Sequence, residues 1–169
     1  AIGPCVNLAS RLESNAKPMT ILISDEYRSK LSLDVGNSRE IDYRSIPAAT
    51  FTHPEISSVG LTEAEATSLA EKNEFELGIV RSYFKANSKA LAEKESDGIL
   101  KLIFNKVSGE VLGAHIYGLH AADLIQEIAN AISRRQSVLD LIYEVHTHPT
   151  LSEVVEVAYK QAATQIAKI

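Results

Sequence analysis

The chain has 169 residues, of which 45% are hydrophobic and 23% charged, and its formal net charge is −5. This length and composition fit one main folded domain with a small appendage, and they argue against a disordered chain. The acidic balance offers no basic surface for nucleic-acid phosphates, and no apolar run approaches the ~20 residues of a membrane-spanning helix. The single cysteine, Cys5, forms no internal disulfide and suits a reducing, cytoplasmic setting.

Residues 1–35 are predicted to form a helix–strand–helix appendage. Apolar side chains at near-helical spacing favour a helix over residues 6–13, and a short apolar run favours a strand over residues 20–23. Ser24 is suited to cap a second helix. Turn-forming residues follow and mark the start of a main domain over residues 36–169.

The main domain alternates between strand and helix patterns. Strands are predicted over residues 48–52, 59–61, 78–85, 98–105 and 111–118. Helices are predicted over residues 63–72, 120–134, 138–143 and 151–167. Thr62 and Glu65 form a capping box at the start of the first helix, and the last two strands are joined as an antiparallel hairpin. With the polar tract over residues 86–97 as a solvated loop, these elements predict an α+β fold in which helices flank an antiparallel β-sheet.

The sequence HTHPTLSE at residues 146–153, in the turn before the last helix, holds the residues best suited to chemistry. An imidazole moves protons near neutral pH, and a carboxylate bonded to its far nitrogen fixes the tautomer. His148 and Glu153 are predicted to form such a pair, because Pro149 keeps the preceding residue out of helical geometry and lets its ring project. Two other interpretations stay open here, a purely structural turn histidine and a His-x-His metal site. The metal site lacks a third ligand at local spacing, so no metal is predicted.

Three ordered motifs connect the main domain with a known family. They are IPAATFTHPEISSVG at residues 46–60, GEVLGAHI at residues 109–116 and HTHPTLSE at residues 146–153. On these motifs, residues 36–168 resemble the C-terminal dimerisation domain, also called the interface domain, of the flavin-dependent disulfide oxidoreductases. Within that family the resemblance is greatest to the dihydrolipoamide dehydrogenases, which implies an FAD/NAD-linked reductase dimerisation-domain fold.

The resemblance implies a catalytic role for two residues of the last motif. In the family, the histidine before the proline accepts a proton from the dithiol substrate, and a following glutamate holds that histidine in place. These positions correspond to His148 and Glu153 in this sequence. The family histidine reaches across a two-fold interface to the flavin and the reactive disulfide of the other subunit. A homodimer, or pairing with a full-length dehydrogenase subunit, is therefore implied.

The same resemblance places four residues at or beside the cofactor. Phe51 and Thr52 correspond to a stretch whose backbone lies near the flavin ring. His146 corresponds to a neighbouring structural or interface residue, and Pro149 to a proline whose preceding peptide bond is cis in the family. All four are therefore candidate cofactor-binding residues.

The parts of such an enzyme that hold its cofactors are not recognisable in this sequence. No Gly-x-Gly-x-x-Gly follows a predicted strand, and the redox-active cysteine pair is missing. FAD is therefore expected to be bound mainly by other domains or by a partner subunit, and NAD only in the full-length enzyme. The implied protein partner is a lipoyl-bearing protein of a 2-oxo acid dehydrogenase or glycine cleavage complex. The isolated chain is expected to be inactive, and a non-catalytic dimerisation module is the alternative function.

Residues 1–31 resemble a different family. The sequences VNLASRLE at residues 6–13 and ILIS at residues 21–24 are similar to the C-terminal part of a class III nucleotide cyclase domain. That resemblance implies transition-state stabilisation by Asn7 and Arg11, which lie one helical turn apart. The metal-binding aspartates of that family lie upstream of these motifs. A cyclase remnant without activity, or a plain surface helix and strand, is therefore expected.

Overall fold

An antiparallel β-sheet forms the centre of residues 42–166, the part of the chain that the computed structural model describes. Its strands are β1 (Ala48–Thr50), β2 (Glu55–Gly60), β3 (Leu77–Tyr83), β4 (Ile99–Asn105) and β5 (Val111–Gly118). They lie in the order β1-β2-β5-β4-β3, and every neighbouring pair is antiparallel. The predictions made for residues 1–35, including those for Asn7 and Arg11, lie outside the described residues.

Helices cover both faces of this sheet. They are α1 (Glu63–Asn73), α2 (Ser88–Ala92), α3 (Ala121–Ser133), α4 (Val138–Leu141) and α5 (Glu153–Ala163). Short 3-10 turns occupy Tyr43–Ser45 and Phe84–Ala86. No helix within residues 42–166 combines the length and the apolar character needed to cross a membrane.

One face of the sheet forms the hydrophobic core with two of the helices. Helix α3 packs on β2 and β5, and α5 packs on β3 and β4. Because alternate strand residues point to the same face, Leu100, Leu102 and Phe104 of β4 all lie fully buried beneath these helices. Burial of each such side chain contributes about 1.5–3 kcal/mol. The α3 residues that face the core are those expected from helical spacing: Leu124, Ile125, Ile128, Ala129 and Ile132.

Helix α1 lies against the opposite face. It contacts β3 and β4, and it buries Ala66 and Ala70. The predicted capping box is confirmed, since Thr62 Oγ1 accepts a hydrogen bond from the Glu65 N–H at 3.3 Å and the Thr62 N–H donates to Glu65 Oε2 at 2.8 Å. These two bonds satisfy N–H groups that the start of a helix otherwise leaves without partners.

The prediction of a continuous loop over residues 86–97 is wrong, because this segment contains α2. Asn87 caps the helix, and its side chain accepts a hydrogen bond from the Ala90 N–H at 3.0 Å. Both residues are buried. The sequence hides this helix because Ala90 is its only buried residue, so no hydrophobic period is visible.

Strand β2 begins at Glu55, earlier than the predicted start at residue 59. The reason is Ser57, which is buried although it is polar. Its hydroxyl donates to the Ala121 carbonyl at 2.7 Å, and this bond compensates for its burial. A serine at an inward position interrupts the apolar alternation by which a strand is recognised. Helices α4 and α5 are each shorter than predicted.

Candidate active site

The loop between α4 and α5 places His148 and Glu153 against each other. His148 Nδ1 lies 2.8 Å from Glu153 Oε1, and Glu153 Oε2 accepts a hydrogen bond from the Thr150 N–H at 2.9 Å. Glu153 is the first residue of α5, so the first turn of that helix holds its carboxylate beside the loop. The His148 side chain is 70% exposed and that of Glu153 is 22% exposed. The ring therefore projects from the surface with the carboxylate behind it.

The hydrogen bonds to Glu153 define the proton arrangement of this pair. The pKa of Glu153 lies below its ordinary value because the carboxylate accepts a hydrogen bond from His148 and, second, from the Thr150 N–H. An ionised carboxylate accepts a hydrogen bond from the ring N–H and so favours the Nδ1–H tautomer. His148 Nε2 then keeps a lone pair. The arrangement can take a proton at Nε2 while Glu153 stabilises the resulting imidazolium.

Hydrogen bonds and a cis peptide bond define the loop around Pro149. The His148–Pro149 bond is cis, as the family resemblance implies. The Thr150 hydroxyl donates to the Thr147 carbonyl at 2.6 Å, and the Thr150 carbonyl accepts from the Asn87 side chain at 2.9 Å. Because Asn87 is buried, the start of α2 ties the C-terminal half of the loop to the core.

A buried serine fixes the first turn of α5 to the sheet. The Ser82 hydroxyl on β3 donates to the Val154 carbonyl at 2.7 Å, and both residues are 2% exposed. Val154 follows Glu153 directly, so this bond sets where the carboxylate lies relative to the sheet. Ser82 was not among the residues predicted to be functional. Its signal is a lone serine at an inward position of an alternating strand.

His146 has an environment opposite to that of His148. Its side chain is only 7% exposed, and its Nε2 lies 3.1 and 3.2 Å from the two carboxylate oxygens of Glu127 on α3. Burial raises the pKa of Glu127, while His146 acts in the opposite direction. The buried Tyr159 lies beside Glu127, and burial followed by that negative charge raises the pKa of its phenol.

His146 was among the predicted site residues, whereas Glu127 was not. The signal for Glu127 is its position on α3, where Leu124 and Ala131 lie one turn away on either side and are both buried. A glutamate between two core positions of an amphipathic helix predicts a buried carboxylate, and a buried carboxylate needs a partner.

Phe51 and Thr52 lie in the loop after β1. Phe51 is 81% exposed, and the Thr52 hydroxyl donates to the Pro54 carbonyl at 2.7 Å. Strand β1 is the edge strand next to β2, whereas α5 packs on β3 and β4 at the other side of the sheet. The structure thus groups His148 with Glu153 and places Phe51 and Thr52 at the other edge. The described part of the chain contains no cluster of three or more His, Cys, Asp or Glu side chains arranged for a metal ion.

Comparison with known proteins defines the class of protein. Residues 46–159 match the pyridine nucleotide-disulphide oxidoreductase dimerisation domain, and the chain therefore belongs to this family. Its domain is of the dihydrolipoyl dehydrogenase type. It is 61% identical over 127 residues to the dihydrolipoyl dehydrogenase of Synechocystis sp., covering 75% of this chain and 27% of the relative.

Other relatives agree with this assignment. Over 127 residues the chain is 54% identical to the chloroplastic dihydrolipoyl dehydrogenase 2 of Arabidopsis thaliana, covering 75% of this chain and 22% of the relative. The chain thus spans about a quarter of the length of these curated relatives, with 27% and 22% covered.

Solved structures confirm the predicted fold class. The crystal structure of LpdA from Mycobacterium tuberculosis superposes with a TM-score of 0.64 at 25% identity, covering 73% of this chain and 26% of that one. The HOCl-induced flavoprotein disulfide reductase RclA from Escherichia coli gives a TM-score of 0.67 at 24% identity, covering 80% and 31%. An antiparallel sheet with flanking helices is therefore the fold of this dimerisation domain.

Proposed function

We propose that this chain supplies the dimerisation domain and one half of the active site of a dihydrolipoyl dehydrogenase. The observation that carries the proposal is the exposed His148 ring, whose Nδ1 is bonded to Glu153. The substrate is a dihydrolipoyl group, which gives up a thiol proton to His148 Nε2. The high identity to dihydrolipoyl dehydrogenases supports this choice of substrate.

The step assigned to His148 is a single proton transfer. The substrate thiol loses its proton to Nε2 and becomes a thiolate, and the ring becomes an imidazolium. Its Nδ1–H stays bonded to Glu153, whose negative charge stabilises the cation. The Thr150 N–H keeps the same carboxylate ionised and aligned. A positioned base of this kind contributes about 10²- to 10⁴-fold to the rate.

FAD and NAD would supply the electron-accepting chemistry of such an enzyme when bound. Phe51 and Thr52 at one edge of the sheet, and Pro149 at the other, are exposed and available to other parts of an assembled enzyme. We assign these residues to the rims of two flavin sites, one at each edge of the sheet. His146 contributes through the backbone of its loop, because its own ring is buried. The remainder of both cofactor sites would come from other domains or from the partner subunit.

The first partner is a second copy of this chain, since the family's dimerisation domain pairs two subunits. We propose as further partners a full-length dehydrogenase subunit and a lipoyl-bearing protein of a 2-oxo acid dehydrogenase or glycine cleavage complex. A cytoplasmic location belongs to the same proposal because the single cysteine suits a reducing compartment. One relative, that of Arabidopsis thaliana, is chloroplastic.

Reconstitution tests the catalytic role. The purified chain is added to a dihydrolipoyl dehydrogenase that lacks its own dimerisation domain, and NAD reduction by dihydrolipoamide is followed. We expect activity to be restored, and the substitution His148→Gln to lower kcat by about 10²- to 10⁴-fold because it removes the base.

His120→Gln is the matched control. His120 is also exposed and also has a carboxylate at Nδ1, with Asp123 at 3.2 Å, but it lies at the start of α3. Its replacement should leave the restored activity unchanged. Restoration that survives His148→Gln would instead establish a non-catalytic dimerisation module.

A further inference from the structure

A second histidine–carboxylate pair lies two residues before His148. Both Glu127 carboxylate oxygens are within 3.2 Å of His146 Nε2. Within residues 143–149, every residue except His146 is exposed, and Val145 reaches 95%. His146 is thus the one side chain by which this segment enters the interior.

The buried ring nitrogen of His146 that has no partner indicates which ring nitrogen carries the hydrogen. Its Nδ1 is buried and has no hydrogen-bond partner. An imidazolium would place an N–H donor there with nothing to accept it, and buried N–H groups without partners are rarer than buried acceptors without partners. The hydrogen bonds therefore favour the Nε2–H tautomer of His146, with the Glu127 carboxylate as the acceptor. His148 has the opposite tautomer, with its proton on Nδ1 facing Glu153.

The two pairs hold the two ends of one short loop. At its C-terminal end, Thr150 is bonded to both Asn87 and Glu153. At its N-terminal end, the bond between His146 and Glu127 is the attachment. His148 lies between these ends and is 70% exposed, so packing does not fix its ring. The direction of Nε2 consequently depends on the backbone on both sides.

We propose that Glu127 is a positioning residue for His148, acting through His146 and the loop backbone. The expected effect of Glu127 on kcat rests on the function proposed above, whereas its effect on the geometry of His148 does not. Loss of the Glu127 bond frees the N-terminal end of the loop, and the bond between His148 and Glu153 then no longer persists as a single geometry. The expected consequence is a mixture of His148 tautomers and a lower kcat with KM unchanged.

Ring-nitrogen NMR of the full chain, labelled with ¹⁵N-histidine at a pH where the rings are neutral, tests the proposal without any cofactor. We expect the native chain to show one tautomer for each ring, Nε2–H for His146 and Nδ1–H for His148. In Glu127→Ala, His148 should show both tautomers, while Glu127→Gln, which keeps an acceptor oxygen, should restore most of the single form. Glu144→Ala is the control, since it removes an exposed carboxylate from the same segment.

A merely structural role for Glu127 would lower the thermal midpoint and leave the His148 signals unchanged below it. If Glu127→Ala does not fold, the paired substitution Glu127→Met with His146→Leu removes the hydrogen bond and keeps the volume apolar. A single Nδ1–H tautomer of His148 in either folded variant would overturn the proposal. In the reconstituted enzyme, Glu127→Ala should lower kcat about 10-fold. If reconstitution gives no activity at all, the proposed function fails, and the NMR result still decides the positioning role.

Discussion

Two serine hydroxyls attach the core helices to the sheet. Ser82 bonds the Val154 carbonyl of α5, and Ser57 bonds the Ala121 carbonyl of α3, each at 2.7 Å. Each hydroxyl is buried and reaches the first turn of its helix. These two hydrogen bonds thus fix the first turns of both helices to the sheet, and the bond from Ser82 lies next to Glu153.

Replacement of Ser82 tests the importance of this contact. Ser82→Ala should lower the free energy of unfolding by about 1 kcal/mol, because a buried hydrogen bond is lost while the helical carbonyl keeps its partner within α5. Urea denaturation of the purified chain measures the loss. Ser58→Ala, at an only partly buried position on β2, is the control and should stay within about 0.5 kcal/mol of the native value. Equal losses in both variants would show that the hydroxyl contributes nothing specific.

At the scale of elements, the capping box of α1 should stabilise the fold, and a second threonine in the same helix provides the control. Thr62→Ala removes an acceptor for the Glu65 N–H and should lower the free energy of unfolding by about 1 kcal/mol. Thr67→Ala is the matched change within the helix, where the hydroxyl only donates back to the Glu63 carbonyl. Because alanine has the higher helix propensity, this control should be neutral or slightly stabilising. A chemical denaturation series on both variants decides whether capping or composition matters.

Some elements could be predicted from the sequence because one local signal was sufficient. The alternation of β5, the apolar stripe of α3 and the Thr62–Glu65 box each lie within one short window, and the structure contains all three. Helix α2 was missed because Ala90 is its only buried residue, so the segment shows no apolar period. The start of β2 was missed for a similar reason, since the burial of Ser57 depends on a residue of α3.

One part of the candidate site could be predicted from local sequence, and another part could not. His148 and Glu153 lie in one turn, so their spacing alone suggested a pair. Glu127 contacts His146 across 19 positions of sequence, and no local pattern reports such a contact. The catalytic roles themselves stay predictions until the reconstitution is done.

For the whole molecule, titrating groups define how stability should depend on pH. The pKa values of Glu65, Glu93 and Glu153 are lowered by hydrogen bonds, so the stability they contribute is present above their ordinary value of 4.5 and is lost as the pH falls through their lower folded values. Glu127 acts in the opposite direction, because its raised pKa lets the folded chain bind a proton first. Because the unfolded chain protonates these glutamates only near pH 4.5, they contribute little to any loss of stability close to neutral pH.

His115 on β5 instead lowers the stability of the folded state as the pH falls below neutral. Burial and, second, the charge of Lys101 hold its pKa below the ordinary value of 6.5, although Glu63 and Glu65 act in the opposite direction. The unfolded chain therefore binds a proton at His115 before the folded chain does, so the free energy of unfolding should fall as the pH drops below 6.5 and level off below the folded pKa. Urea midpoints measured from pH 7.5 to pH 5 should show this decline in the native chain and a smaller one in His115→Gln. Identical profiles for the native chain and His115→Gln would contradict the assignment.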